Sequence, residues 1–154
     1  MKNILSKIQN IINVKFKDTN LLLRSITHKS YDKNYNYEKL EFLGDRVLGL
    51  VISKKLLDLY PNEKEGILDK KLASLVNKDK CFEIGISLKL QNFILVGNQK
   101  IKSHKIENKI VSDCCESLIG AIYLDKGFKL TNDFILKIWS DYLKVSNETI
   151  VDAK

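Results

Sequence analysis

Between Tyr37 and Tyr60 the apolar residues Leu40, Leu43, Val47, Leu50, Val51 and Leu57 recur at helical spacing, and Pro61, the single proline of the chain, stands directly behind them. Side chains three, four and seven apart share one face of an α-helix, and a proline disfavours helical backbone at the residue before it. The stretch is therefore expected to be one long helix with a wide apolar stripe, which other elements must cover. More helices are expected around it. Ile4, Leu5, Ile8, Ile11 and Ile12 predict a short amphipathic helix at the start, and Asp18 or Thr19 caps a second one through Leu21, Leu22, Leu23 and Ile26 toward His28. Others are expected from about Ile67 to Asn77, around Cys81 to Gly85, and from Ile106 to Asp125 with Gly127 as its stop. A last one should run from about Leu130 to Leu143, with Phe134, Ile135, Ile138 and Trp139 packed inward. Alternation with period two is not sustained over strand length, so the expected fold class is all-α.

The 154 residues suit a single domain, expected over residues 1–145, with the polar stretch 146–154 as the start of a linker or tail. With 44% apolar and 29% charged residues the composition argues against a disordered chain. The net charge of +7 is what a partner such as nucleic acid would favour. Cys81, Cys114 and Cys115 lack zinc-type spacing and read as reduced thiols in a core. The first residues carry charges throughout, and nowhere do 18 apolar residues run together, so neither a leader nor a membrane span is expected and the location is expected to be cytoplasmic.

Chemistry concentrates at Glu38, Glu41 and Asp45, which fall within roughly 60° of one another on a helix. Like charges so spaced weaken an isolated helix by about 0.3 kcal/mol per pair, so something cationic should offset them. Lys39 and Arg46 could do so in a solvated acidic edge. A second pair, Asp113 and Glu116, borders the apolar positions Ile110, Val111, Cys114 and Leu118 of another helix. If the two helices pack core to core, four carboxylates meet, and an oxygen-only set suits a hard divalent cation of the kind used in phosphoryl transfer. Serine or cysteine nucleophile elbows and glycine-rich phosphate loops are missing. His28, near a helix end, reads as a hydrogen-bonded structural residue.

The run Glu38-Lys39-Leu40-Glu41-Phe42-Leu43-Gly44-Asp45 resembles the signature stretch of the ribonuclease III family. Thr27-His28-Lys29-Ser30-Tyr31, Leu72-Ala73-Ser74-Leu75-Val76-Asn77, and Ser112-Asp113 with Glu116-Ser117-Leu118-Ile119-Gly120-Ala121-Ile122-Tyr123-Leu124-Asp125 are similar to its other motifs, in the same order. The resemblance implies a helical, homodimeric endonuclease domain that hydrolyses double-stranded RNA with Mg²⁺, or Mn²⁺ in its place, leaving 5′-phosphate and 3′-hydroxyl ends with short 3′ overhangs. By the same resemblance Glu41, Asp45, Asp113 and Glu116 are metal ligands, Asp45 and Glu116 the catalytic pair among them, and Glu38 and Glu65 accessory acids. Asn77 is placed near the RNA, and Lys109, one turn before Asp113, is a candidate phosphate contact. Lys100, Lys102 and Lys105 are weaker ones. Phe42 projects away from the main apolar face and is assigned to the partner subunit, against the alternative of packing under a loop of its own chain.

The sequence departs from the family at Tyr37, Lys39, Asp69 and Lys71, and in the run from Lys102 to Lys109, but at none of the four metal ligands. Bacterial members usually continue into a double-stranded-RNA-binding domain, and the chain is read as cut short of it. A noncatalytic relative that keeps the fold for RNA binding or assembly is the alternative; such proteins tend to lose the acidic ligands.

Overall fold

A computed structural model describes residues 1–97 and 106–145. Among the described residues the regular elements are helices: α1 Lys2–Ile12, α2 Thr19–Ser25, α3 Glu38–Leu59, α4 Glu65–Val76, α5 Lys78–Ser87, a single 3-10 turn Leu90–Asn92, α6 Asn108–Lys126 and α7 Phe128–Ile138. Residues 140–145 are helical after a break at Trp139. The extended backbone that pairs does so at one isolated bridge, Thr27 to Leu95. The all-α expectation holds.

Helix α6 is the centre of the fold, with every residue from Val111 to Ile122 buried. It crosses α3 at a backbone-to-backbone contact: a Cβ on Gly44 would stand 1.7 Å from the Glu116 carbonyl oxygen, and one on Gly120 would stand 2.2 Å from that of Leu40. Only glycine permits so close an approach. Ser117 and Cys114 hold α2 against the other side of α6 by donating to the Ser25 carbonyl. Trp139, fully buried, donates from Nε1 to the Leu75 carbonyl at 2.7 Å and ties the C-terminal helices to α4.

The start of α3 is set by two bonds. Tyr37 N–H donates to the Thr27 carbonyl at 2.9 Å, and Glu38 N–H donates to Asn36 Oδ1 at 3.1 Å. Its end falls at Leu59, two residues ahead of Pro61, as the proline requires.

Several expectations need correction. Helix α2 stops at Ser25 rather than running toward His28, because the Ile26 carbonyl accepts from Leu95 N–H at 2.8 Å and His28 N–H donates to the Leu95 carbonyl at 2.9 Å. Helix α5 is longer than the stretch around Cys81 to Gly85, since Asn77 caps it by accepting from Lys80 N–H at 2.9 Å. Leu50 and Leu57, placed on the inward stripe of α3, are exposed; the buried face is instead Leu40, Gly44, Val47, Leu48, Val51, Ile52 and Leu56. Lys100, Lys102, His104, Lys105 and the stretch 146–154 lie outside the described residues.

Candidate metal centre

The Gly44 and Gly120 crossing brings the acidic turns of α3 and α6 to one place. Glu41 stands one turn before Gly44, Asp45 directly after it, and Glu116 one turn before Gly120. One oxygen each from Glu41, Asp113 and Glu116 can lie within 4.8 Å of the others. Asp45 lines the same 310 Å³ recess as Glu41 and Glu116, and its carboxylate accepts from the Arg46 guanidinium at 3.1 Å. Glu38 lines that recess and a 480 Å³ cleft beside it, which His28, Tyr37, Glu41, Lys109 and Asp113 also border. Glu38 and Glu41 therefore stand where the two hollows join.

The carboxylates of α6 were expected at the margin of its apolar face, yet their side chains are only 4% and 2% exposed for Asp113 and Glu116. Isolated buried charges of one sign would be very costly. The compensating cation is Lys78, which the sequence analysis did not single out. Its Nζ donates to Asp113 Oδ1 at 2.9 Å, to Glu41 Oε2 at 3.4 Å and, at closest range, to Glu116 Oε1. Lys109 donates to the other Asp113 oxygen at 2.6 Å. The signal for Lys78 lay in its neighbour: an Asn cap at position 77 puts residue 78 in the first turn of a helix beside the acidic one, but placing the helix at Cys81 hid it.

Proton affinities follow from this geometry. Burial pushes the Glu116 carboxyl up to about 8, helped by Asp45 and opposed by Lys78. Burial and then the Asp113 charge raise Glu41 as well. Burial acts to raise Asp113 too, but the Lys109 and Lys78 ammoniums together hold it below the usual carboxylate range. Lys78, despite its own partial burial, is held above the ordinary lysine range by Glu116 and Asp113. One cationic group thus serves three acids, of which Glu41 and Glu116 line the recess and Asp113 the adjoining cleft.

The donors fit a hard divalent ion. They are all carboxylate oxygens, they converge, and a positively charged group already stands between them as a stand-in ion. The other expected residues are placed as follows. Glu65 begins α4 and lines a different groove, with Leu57 and Leu68. Asn77 is engaged as the cap of α5. His28 Nδ1 accepts from Ser30 N–H at 3.1 Å and lies 2.7 Å from Ser30 Oγ, the structural role expected of it. Burial and the adjacent Lys29 keep its pKa below the ordinary value. Phe42 is 61% exposed, with the Arg46 guanidinium 4.1 Å above its ring.

Comparison with known proteins gives a consistent result. Residues 18–142 match the Ribonuclease-III-like family. Ribonuclease 3 of Pelagibacter ubique is 56% identical over the whole of this chain, which spans 69% of that protein. Ribonuclease 3 of Campylobacter jejuni is 42% identical over 90% of this chain and 62% of its own length. The solved nuclease domain of ribonuclease III from Campylobacter jejuni, in which the region involved in dimer formation shows structural flexibility, superposes with a TM-score of 0.83 at 40% identity, covering 88% of this chain and 95% of that one.

Proposed function

This chain belongs to the ribonuclease III family, and from that premise and the acidic site we propose that it is the nuclease domain of a magnesium-dependent endoribonuclease acting on double-stranded RNA. The observation that carries the proposal is the pair Asp113 and Glu116, buried in the central helix and converging on Glu41. Stability alone does not account for them, because a well-packed apolar pair of similar volume is often as stable as a buried ion pair or more so. Retained and assembled carboxylates also argue against a noncatalytic relative.

In this function Glu41, Asp113 and Glu116 hold the ion, and Asp45 completes the set from the rim of the recess. Bound there, Mg²⁺ supplies an activated water and neutralises charge on the phosphate, while Mn²⁺ can take its place. Burial raises the proton affinity of Glu41 and Glu116, and a divalent ion facing them would lower it. Glu38 lines the recess and would orient water entering it. Lys109, three-quarters exposed, holds Asp113 with its ammonium and faces the side on which a duplex backbone would lie. Attack of water on phosphorus with the 3′ oxygen as leaving group breaks the P–O3′ bond and gives 5′-phosphate and 3′-hydroxyl ends, and RNA affinity should fall as salt rises.

Two active sites are needed to cut both strands, so the working form is a homodimer. Phe42, Leu50 and Leu57, all exposed, fall within roughly 80° of one another on the outer side of α3 and form the apolar stripe a partner would cover. An accessory role for Glu65 would then depend on the second subunit, since within one chain it lines another groove.

Incubating the protein with a long RNA duplex, with and without Mg²⁺, tests the proposal. Cleavage should require the ion and vanish in Asp45→Ala and Glu116→Ala. Binding without cleavage in Mg²⁺ or Mn²⁺ would replace it with the noncatalytic alternative.

A further inference from the structure

Lys78 occupies the space that the ion itself would need. Its ammonium touches one oxygen from each of Glu41, Asp113 and Glu116, and these are the residues whose oxygens converge within 4.8 Å. An ion bonded at about 2.1 Å to those oxygens leaves no room for an ammonium at hydrogen-bond distance from the same atoms. Occupation is mutually exclusive.

The side chain is also built to leave. Asn77 fixes the backbone of Lys78 in the first turn of α5. The lysine side chain remains 56% exposed, whereas those of Asp113 and Glu116 are nearly sealed. A four-carbon stem anchored at a helix start can swing its ammonium from the recess into solvent without moving the helix. The two buried carboxylates cannot follow it. Among the described residues the ammonium left to them is that of Lys109, which bonds the far oxygen of Asp113.

From this geometry we propose that Lys78 is a resident counterion of the metal-free site, keeping the buried carboxylates assembled and yielding its place when the divalent ion enters. The inference rests on the metal site proposed above and adds a residue that sets how tightly that site takes its ion. It makes metal uptake an exchange of one cation for another. The ion's apparent affinity is then lowered by the fraction of time the ammonium stays in place.

Isothermal titration calorimetry with MnCl₂ and MgCl₂, without RNA, on the wild-type protein and on Lys78→Met and Lys78→Gln tests this, together with thermal unfolding with and without saturating metal. Both variants should bind the ion more tightly, by about tenfold if the ammonium holds the site nine-tenths of the time. Their melting temperature should fall below wild type without metal and return to it with metal. Equal or weaker ion binding in the variants, or the same loss of melting temperature in both conditions, overturns the proposal, because a merely structural lysine behaves in that way. Should neither variant fold, ¹³C-lysine NMR of the wild-type protein during a Mg²⁺ titration decides. The Lys78 Cε resonance must move to a free-lysine position with the same midpoint as ion binding, and an unmoved resonance overturns the displacement. A wild-type protein that binds no divalent ion sinks the metal site as well; one that binds it without regard to Lys78 sinks this inference alone.

Discussion

Asp113 and Glu116 sit inside a helix buried on every side from Val111 to Ile122, whereas Glu38 and Asp45 stand on the open edge of α3 with Glu41 half-buried between them. Both sets are carboxylates that meet around Glu41, which borders the recess and the cleft alike. The outer set begins a helix, where the positive end of the backbone dipole favours Glu38 and Glu41, and water screens the rest. The inner set has neither water nor a helix start, and is tolerated only because Lys78 and Lys109 reach it. The inner acids therefore fix where a cation must lie, and the outer acids adapt to it.

The sharpest way to break that distinction is chemical. Glu116→Gln and Asp113→Asn should each lower single-turnover cleavage of an RNA duplex in Mg²⁺ by about a thousandfold, several kcal/mol of transition-state stabilisation. Glu38→Gln should lower it by less than about tenfold. Equal losses would mean that position relative to the core is irrelevant.

Next in size is the crossing that brings the two sets together. Gly44→Ala or Gly120→Ala puts a methyl into opposing backbone and should cost about 3 kcal/mol or more in denaturant unfolding, since neither helix can yield without separating. Gly49→Ala, on the same helix with nothing within 4 Å of its Cβ, should instead stabilise by roughly 0.5–1 kcal/mol. If all three glycines behaved alike, the close approach would not be what positions the site.

A third carboxylate of α6 separates structural from functional burial. Asp125, its side chain 3% exposed, accepts from Lys17 N–H and Asp18 N–H at 2.9 Å each. Burial acts against its charge, but these bonds and Lys126 hold its carboxyl below the usual range. Its contribution to stability is thus present above the unfolded-state pKa and is lost as pH falls through the lowered folded value. Asp125→Ala should cost about 2 kcal/mol at neutral pH and progressively less in acid, with Mn²⁺ affinity unchanged by calorimetry. A matching loss of ion binding would merge the two kinds of acid. The smallest effect is expected on the outside of α3, where Phe42→Ala should change monomer stability by under about 0.5 kcal/mol while shifting sedimentation toward the monomer.

Much of this was legible in the residues. The extent of α3 could be read because its helical spacing and Pro61 act locally. The meeting of Glu41, Asp113 and Glu116 could be read because their spacing and their resemblance to a family agree. Leu50 and Leu57 were misplaced because helical spacing reports which residues share a face, and an apolar face awaiting a second subunit has the same spacing as one facing a core. The burial of Asp113 and Glu116 was missed for a related reason. A helix enclosed on all sides has no margin, and only the packing of α2, α3 and α5 around α6 reveals that. Lys78 comes from a third helix, so neither acidic pattern points to it.

The most direct measurement is a crystal structure of the protein grown with Mn²⁺, with an anomalous map at the manganese edge. The account predicts a peak about 2.1 Å from oxygens of Glu41, Asp113 and Glu116, with the Lys78 ammonium withdrawn from all three. A map with no peak there, or with manganese bound only by Glu38 and Asp45 on the rim while Lys78 keeps its place, would contradict it.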